Sequence, residues 1–249
     1  MNLNPIPNNS NEQNATRQAM EKVEVATYFN NTGFDRWKRI YSDSDDINNV
    51  QRNIRIGHKK MVNQVLTWLQ ENHNLKDSSI CDAGCGVGSL TLPLVQLGVE
   101  SITASDISEA MIKEVRRRAK AAHINVQQVI FRTSDLENIE GTFDNVICLD
   151  VFMHYEQHQA ERMVQFLANR ARKTLVVSFS PYTPLLGILK AIGQFFPGPS
   201  KTTRAYLLKE EGIVAAAKDC GFQVRRRNLN KAPFYFSKLI EFEKIESTS

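Results

Sequence analysis

Asp82-Ala-Gly-Cys-Gly-Val-Gly88 follows a short apolar run, Ile80–Ala83, and precedes a helical pattern. Its three glycines permit a tight turn and a close backbone approach to a ligand, and the helix start behind them offers free N–H donors. The spacing separates two ligand classes. A dinucleotide loop, GxGxxG, needs its third glycine at position 89, but Ser89 stands there and the glycine is Gly88. The motif is therefore an acid followed by GxGxG, at a strand-to-helix turn.

Downstream of this loop, short apolar runs alternate with amphipathic stretches, the pattern of βαβ units around a mainly parallel sheet. It predicts seven strands, at Ile80–Ala83, Ser101–Ala104, Val126–Arg132, Phe143–Leu149, Thr174–Phe179, Phe222–Arg227 and Phe234–Phe242. Between the second and third, Ser108 can cap a helix whose Met111, Val115, Ala119 and Ala122 face the sheet while Arg116, Arg117 and Lys120 face water. Pro181, Pro184, Pro197 and Pro199 surround an apolar stretch, so an insertion over the strand ends is expected at about 181–205.

Upstream, residues 1–15 are Asn-rich and poor in large apolar side chains, and disorder is expected there. Residues 16–75 read as a helical arm. Phe34, Trp37, Ile40 and Tyr41 share one face, and Val50, Ile54, Met61, Val65 and Leu69 follow a 3.6-residue period. Gly33 and the Ser-Asp cluster at 42–46 divide the arm into three helices, with Ser44 or Asp45 available to cap the third. Residues 76–249 form the remaining domain.

A chain of 249 residues, 42% apolar and 23% charged, excludes disordered, collagen-like and membrane-spanning classes. The net charge of +4 is spread along the chain, without the basic stripe of a dedicated nucleic-acid binder. The four cysteines include no CxxC pair, and neither a signal-peptide core nor an Arg- and Ser-rich transit segment opens the chain, so a reduced, cytoplasmic setting is expected.

The acid plus GxGxG resembles the first motif of class I S-adenosylmethionine-dependent methyltransferases. That resemblance implies a Rossmann-like sheet of seven strands with the last antiparallel. More specific stretches lie outside the cofactor motifs. They are Tyr28-Phe-Asn-Asn-Thr-Gly-Phe-Asp-Arg-Trp-Lys-Arg-Ile-Tyr41, Val50-Gln-Arg-Asn-Ile-Arg-Ile-Gly-His58 and Phe196-Pro-Gly-Pro-Ser-Lys-Thr-Thr-Arg-Ala-Tyr206. Through them, most of residues 27–240 resembles the magnesium-protoporphyrin IX O-methyltransferase family in its bacterial, cyanobacterial form.

The resemblance implies transfer of the S-adenosylmethionine methyl group to a propionate of magnesium-protoporphyrin IX, leaving S-adenosylhomocysteine, in chlorophyll biosynthesis. It implies cofactor contacts from Asp82, Gly84, Cys85, Gly86, Gly88, Asp106, Ile107, Asp135, Leu136 and Asp150. Asp106 follows the second strand, where a carboxylate can accept both ribose hydroxyls, and Asp135 falls where the family contacts adenine. His154, after the fourth strand, and Tyr41 from the arm are assigned to orienting the substrate carboxylate. His154 also has ligation of the porphyrin magnesium as an alternative role. Tyr28, Phe152 and Met153, with the basic Arg52, Arg55, Lys201 and Arg204, are expected at the porphyrin; Phe195, Phe196 and Tyr206 are further candidate walls. His58 reads as structural, and His73, His123 and His158 as surface positions. No protein-bound metal is implied.

The large subunit of magnesium chelatase is the implied protein partner, with no nucleic acid and at most peripheral contact with a thylakoid or plasma membrane. The arm is expected to cap the porphyrin, hinged near Gly33 or the Ser-Asp cluster, and to leave cofactor affinity largely intact when residues 1–45 are removed. The competing classes are a methyltransferase for RNA or another small acid and a non-catalytic porphyrin-binding protein.

Overall fold

In the computed structural model, which describes residues 9–41, 46–71, 74–183 and 206–245, all seven apolar runs become strands of one sheet. They are β1 (Ser79–Ala83), β2 (Ser101–Asp106), β3 (Val129–Thr133), β4 (Phe143–Cys148), β5 (Ala171–Phe179), β6 (Phe222–Ala232) and β7 (Tyr235–Lys244), ordered β3-β2-β1-β4-β5-β7-β6. The first five pair in parallel, and β7 lies antiparallel between β5 and β6. The order reverses between β1 and β4, so the crevice for a ligand opens at the carboxyl ends of those two strands.

Three helices precede the sheet: α1 (Asn9–Asn30), α2 (Thr32–Ile40) and α3 (Asn49–Gln70). Between the strands run α4 (Thr91–Gln96), α5 (Glu109–Ala121), α6 (Gln157–Ala168) and α7 (Glu210–Asp219). One face of the sheet packs on α6 and α7 through Met163, Leu167, Ile213 and Ala217. The other packs on α3, α4 and α5 through Met61, Trp68, Leu94 and Ile112. Burial of these apolar faces on both sides is what a parallel sheet requires.

Several local expectations need correction. α1 begins at Asn9, inside the stretch expected to be disordered, because Glu12, Gln13 and Ala15 are good helix formers and continue the pattern begun at Arg17. The third helix is capped by Asn48, whose side chain accepts from Gln51 N–H while the Gln51 side chain accepts from Asn48 N–H. Ser44 and Asp45, named for that role, lie outside the described residues, as do His73 and most of the expected insertion (184–205). Ala122 falls just past the end of α5 and is exposed, whereas Ser108 caps that helix as expected.

Polar contacts fix the arm to the sheet domain. The last carbonyls of α2, unpaired within a helix, are taken up by two guanidinium groups. Arg55 donates to Ile40 O at 2.7 Å and Arg39 O at 2.9 Å, and Arg118 donates to Tyr41 O at 2.6 Å and Lys38 O at 3.0 Å. The end of α1 meets the start of α5, where Ser108 Oγ lies 3.0 Å from both Phe29 O and Asn30 Oδ1. A Cβ at Gly33 would stand 2.4 Å from the Tyr28 ring, so its missing side chain lets α2 close on α1.

Candidate active site

The carboxyl ends of β1 to β5 and the arm together enclose a cavity of about 330 Å³. Its sheet side carries Asp82, Gly84, Cys85 and Gly86 after β1, Asp106 and Ile107 after β2, Asp135 and Leu136 after β3, and Asp150, Met153 and His154 after β4. Its arm side carries Val25, Phe29, Arg36, Trp37, Tyr41, Ile54 and His58, and the β6–β7 hairpin adds Phe234, Tyr235 and Phe236.

The three glycines do different work. Gly84 (φ +78°) and Gly88 (φ +85°) are in the left-handed region, and a Cβ at either would come within 2.3 Å of a valine, Val151 or Val115 respectively. Gly86 (φ +52°) has no heavy atom within 4 Å of its missing Cβ, so its backbone faces the open cavity. Gly88 shapes the loop without lining it. Asp106 accepts from Gly86 N–H at 2.9 Å and Ser108 N–H at 2.8 Å, one bond on each oxygen, which aims the carboxylate across the glycine turn. Asp82 accepts from the Thr91 hydroxyl at 2.5 Å. Burial pushes both carboxyls up to about 6, against the hydrogen bonds that favour their ionised forms.

These residues fit a cofactor bearing an ammonium, a carboxylate and ribose hydroxyls. Gly86 supplies a cradle that a side chain would fill, and Asp82 and Asp106 supply acceptors at either end of the turn. Asp135 also lines the cavity, but Lys22 from α1 pairs with it at 2.7 Å and with Glu137 beside it. The arm therefore reaches the loop after β3 as well as the end of the cavity at His154.

At the other end, His154 stands in a 3-10 turn (Phe152–His154) with the Phe29 ring edge-on at 5.1 Å. Its Nδ1 is buried without a hydrogen-bond partner, and burial lowers its pKa to about 4, outweighing the attraction of Asp150 for a proton. It is a neutral imidazole at physiological pH. Tyr41 stacks between Trp37 (5.4 Å) and His58 (4.3 Å), and burial followed by the charge of Asp150 pushes its phenol well above the usual range. Tyr41 is thus a hydrogen-bond donor. Asp150, expected beside the cofactor, lines the cavity with its carboxylate engaged by His58 (2.9 Å), the Tyr235 hydroxyl (2.7 Å) and the Ser178 hydroxyl (3.2 Å).

Several expected substrate residues stand elsewhere. Phe152 is fully buried in the core against α6 and α7, because the turn that presents Met153 and His154 rotates it inward. Tyr28 packs over Gly33 instead of lining the cavity. Arg52 is exposed and donates to Asn49, and Arg55 is occupied with the end of α2. Lys201, Arg204, Phe195 and Phe196 lie outside the described residues, and Tyr206 is half-buried, its N–H bonded to Met153 O. Among the Arg and Lys side chains of the described residues, it is Arg36 that lines the cavity. His58, read as structural, is at its wall; the signal that its apolar row obscured is a ring nitrogen whose partner, Asp150, lies 92 residues away.

Comparison with known proteins places this geometry. Residues 148–244 match the family model for the magnesium-protoporphyrin IX methyltransferase C-terminus, and residues 80–173 match that for a methyltransferase domain. A magnesium-protoporphyrin O-methyltransferase of Synechocystis is 46% identical over 89% of this chain and 95% of its own length. The chloroplastic magnesium protoporphyrin IX methyltransferase of Arabidopsis thaliana is 45% identical over 89% of this chain and 70% of its own. The crystal structure of the Synechocystis enzyme with bound S-adenosylhomocysteine superposes with a TM-score of 0.83 at 44% identity, covering 90% of this chain and 99% of that one. At 45–46% identity over 89% of its length, the chain belongs to the magnesium-protoporphyrin IX methyltransferase family.

Proposed function

We propose that this chain methylates one propionate of magnesium-protoporphyrin IX with S-adenosylmethionine, forming the monomethyl ester in chlorophyll biosynthesis. The observation that carries it is a single cavity in which the Gly86–Asp106 turn and the His154–Tyr41 pair face the same space. When bound, S-adenosylmethionine supplies an electrophilic methyl group on sulfur. Asp82, Asp106, Gly86 and Leu136 are the residues to hold it.

The chain's own contribution is positioning. A propionic acid resembles a Glu side chain, with a pKa of about 4.3, so the attacking oxygen is already ionised and needs no strong base. The Tyr41 hydroxyl and a His154 N–H orient that oxygen, and Phe29, Val25 and Met153 exclude water from it. Phe234 and Phe236 suit the faces of a flat apolar disc, and Arg36 the second propionate. The magnesium-inserting reaction must supply this substrate, and the large subunit of magnesium chelatase is the partner inferred. Among the described residues no helix is long and apolar enough to cross a membrane. A cytoplasmic location with at most peripheral contact with a thylakoid or plasma membrane belongs to the same proposal.

Methyl transfer from labelled cofactor, measured with magnesium-protoporphyrin, metal-free protoporphyrin and RNA in parallel, tests this reading. Transfer to RNA, or none to either porphyrin, overturns it. Two further outcomes are expected. Tyr41→Phe should lower kcat at least tenfold, a loss of about 1.4 kcal/mol of transition-state stabilisation, while Tyr28→Phe stays near wild type because its ring packs on Gly33. Affinity for S-adenosylhomocysteine should weaken as pH falls through about 6, where Asp106 and Asp82 take up protons and lose acceptor strength. Between pH 7 and 5 each group contributes about tenfold. Calorimetry should find that Asp106→Asn binds more weakly at pH 7 and has a flatter pH profile.

A further inference from the structure

We propose that His58 is the axial ligand of the substrate's magnesium, and thereby the residue that distinguishes the metallated porphyrin from the metal-free one. The inference rests on the functional reading above.

The ring is built as a ligand. His58 lines the cavity from α3 and is 9% exposed. Its Nδ1 lies 2.9 Å from Asp150 Oδ2, and a carboxylate oxygen accepts, so Nδ1 is the donor; in the Nδ1–H tautomer the lone pair is on Nε2. Asp150 is itself fixed. Its backbone is in the left-handed region (φ +57°), its N–H donates to Ser178 Oγ at 2.8 Å, and the Tyr235 hydroxyl donates to the same Oδ2 at 2.7 Å. Nε2, on the far side of the ring from this support, is buried and has no hydrogen-bond partner.

Orientation is held as firmly as tautomer. Tyr41 lies across the face of the imidazole at 4.3 Å and 34°, with Trp37 stacked on Tyr41 in turn. That contact is with a ring face, not with the ring edge that carries Nε2. A histidine whose second nitrogen donates to a carboxylate, with its ring clamped, is the arrangement that supports metal-ligating imidazoles. Magnesium in a porphyrin has its four in-plane positions filled by pyrrole nitrogens and takes a further ligand perpendicular to the macrocycle. His154 also carries an unpartnered Nδ1, but among the described residues no carboxylate is hydrogen-bonded to its ring. The alternative role of metal ligand given to His154 passes on these grounds to His58.

Absorption spectra of magnesium-protoporphyrin IX added to protein saturated with S-adenosylhomocysteine test the assignment. The wild type should shift the Soret band in the sense of axial imidazole coordination, and metal-free protoporphyrin IX should show no such shift. His58→Phe, which keeps ring volume, should abolish it, and His58→Gly should regain it when free imidazole is added. In parallel, the ratio of kcat/KM for magnesium-protoporphyrin to that for metal-free protoporphyrin should fall at least roughly tenfold in both variants. S-adenosylhomocysteine binding shows that each variant has folded. A folded His58→Phe protein that keeps the spectral shift and the preference overturns the proposal while the methyltransferase reading stands. A wild type that binds S-adenosylhomocysteine but neither shifts nor methylates the magnesium porphyrin overturns both.

Discussion

Gly86→Val is expected to yield a folded protein that no longer binds S-adenosylhomocysteine, with affinity reduced roughly 100-fold or more, about 2.7 kcal/mol. The reason lies in what surrounds the missing Cβ. At Gly86 no heavy atom stands within 4 Å, so a new side chain meets the space where the cofactor is to lie. The backbone cost is limited to placing a branched residue at φ +52°, about 1–2 kcal/mol, which lowers the melting temperature by several degrees. Gly84→Ala and Gly88→Ala should behave oppositely. There even a methyl group arrives 2.3 Å from Val151 or Val115, so stability should fall more than for Gly86→Ala. Thermal melts and calorimetry on the three alanine variants and Gly86→Val separate the roles. Near-normal binding by Gly86→Val would remove this turn from the cofactor site.

The same contrast shows how far the sequence could be read. All seven strands and the glycine turn were legible because each is local: an apolar run, a spacing of glycines, an acid one strand further on. What could not be read is which distant group a polar side chain would meet. Arg55 looks like a free cation in its own helix, but folding brings the Ile40 carbonyl to 2.7 Å from it. Phe152 and Met153 are adjacent apolar residues, and only the 3-10 turn decides that one enters the core while the other lines the cavity. The family resemblance supplied His154 and Tyr41, but not Arg36, Trp37 or the aromatic tip of the β6–β7 hairpin. These converge on the cavity from α2 and from a hairpin some 200 residues later in the chain, with no shared periodicity.

Removing residues 1–45 should abolish ester formation and also raise the dissociation constant for S-adenosylhomocysteine at least roughly tenfold. The second part departs from the sequence expectation, and the geometry of α1 is why. Lys22, Val25 and Phe29 recur at helical spacing along one face, and that face covers Asp135 by an ion pair at 2.7 Å and His154 by a ring edge at 5.1 Å. Full burial of a Phe side chain stabilises by roughly 1.5–3 kcal/mol, so loss of the half-buried Phe29 together with the Lys22–Asp135 pair is on the scale of a tenfold change. The first part follows from Trp37 and Tyr41, which leave with α2 and with them the clamp on His58 and the donor to the propionate. Phe29→Ala in the full chain serves as the narrower variant: it should weaken S-adenosylhomocysteine binding without removing Tyr41, so that turnover at saturating cofactor falls less than in the truncated protein. Should the truncated protein fold and bind S-adenosylhomocysteine as the full chain does, the arm closes over the porphyrin alone. Should it also methylate at full rate, the helices before β1 only pack against the domain, and the orienting donors for the carboxylate must come from the strand ends.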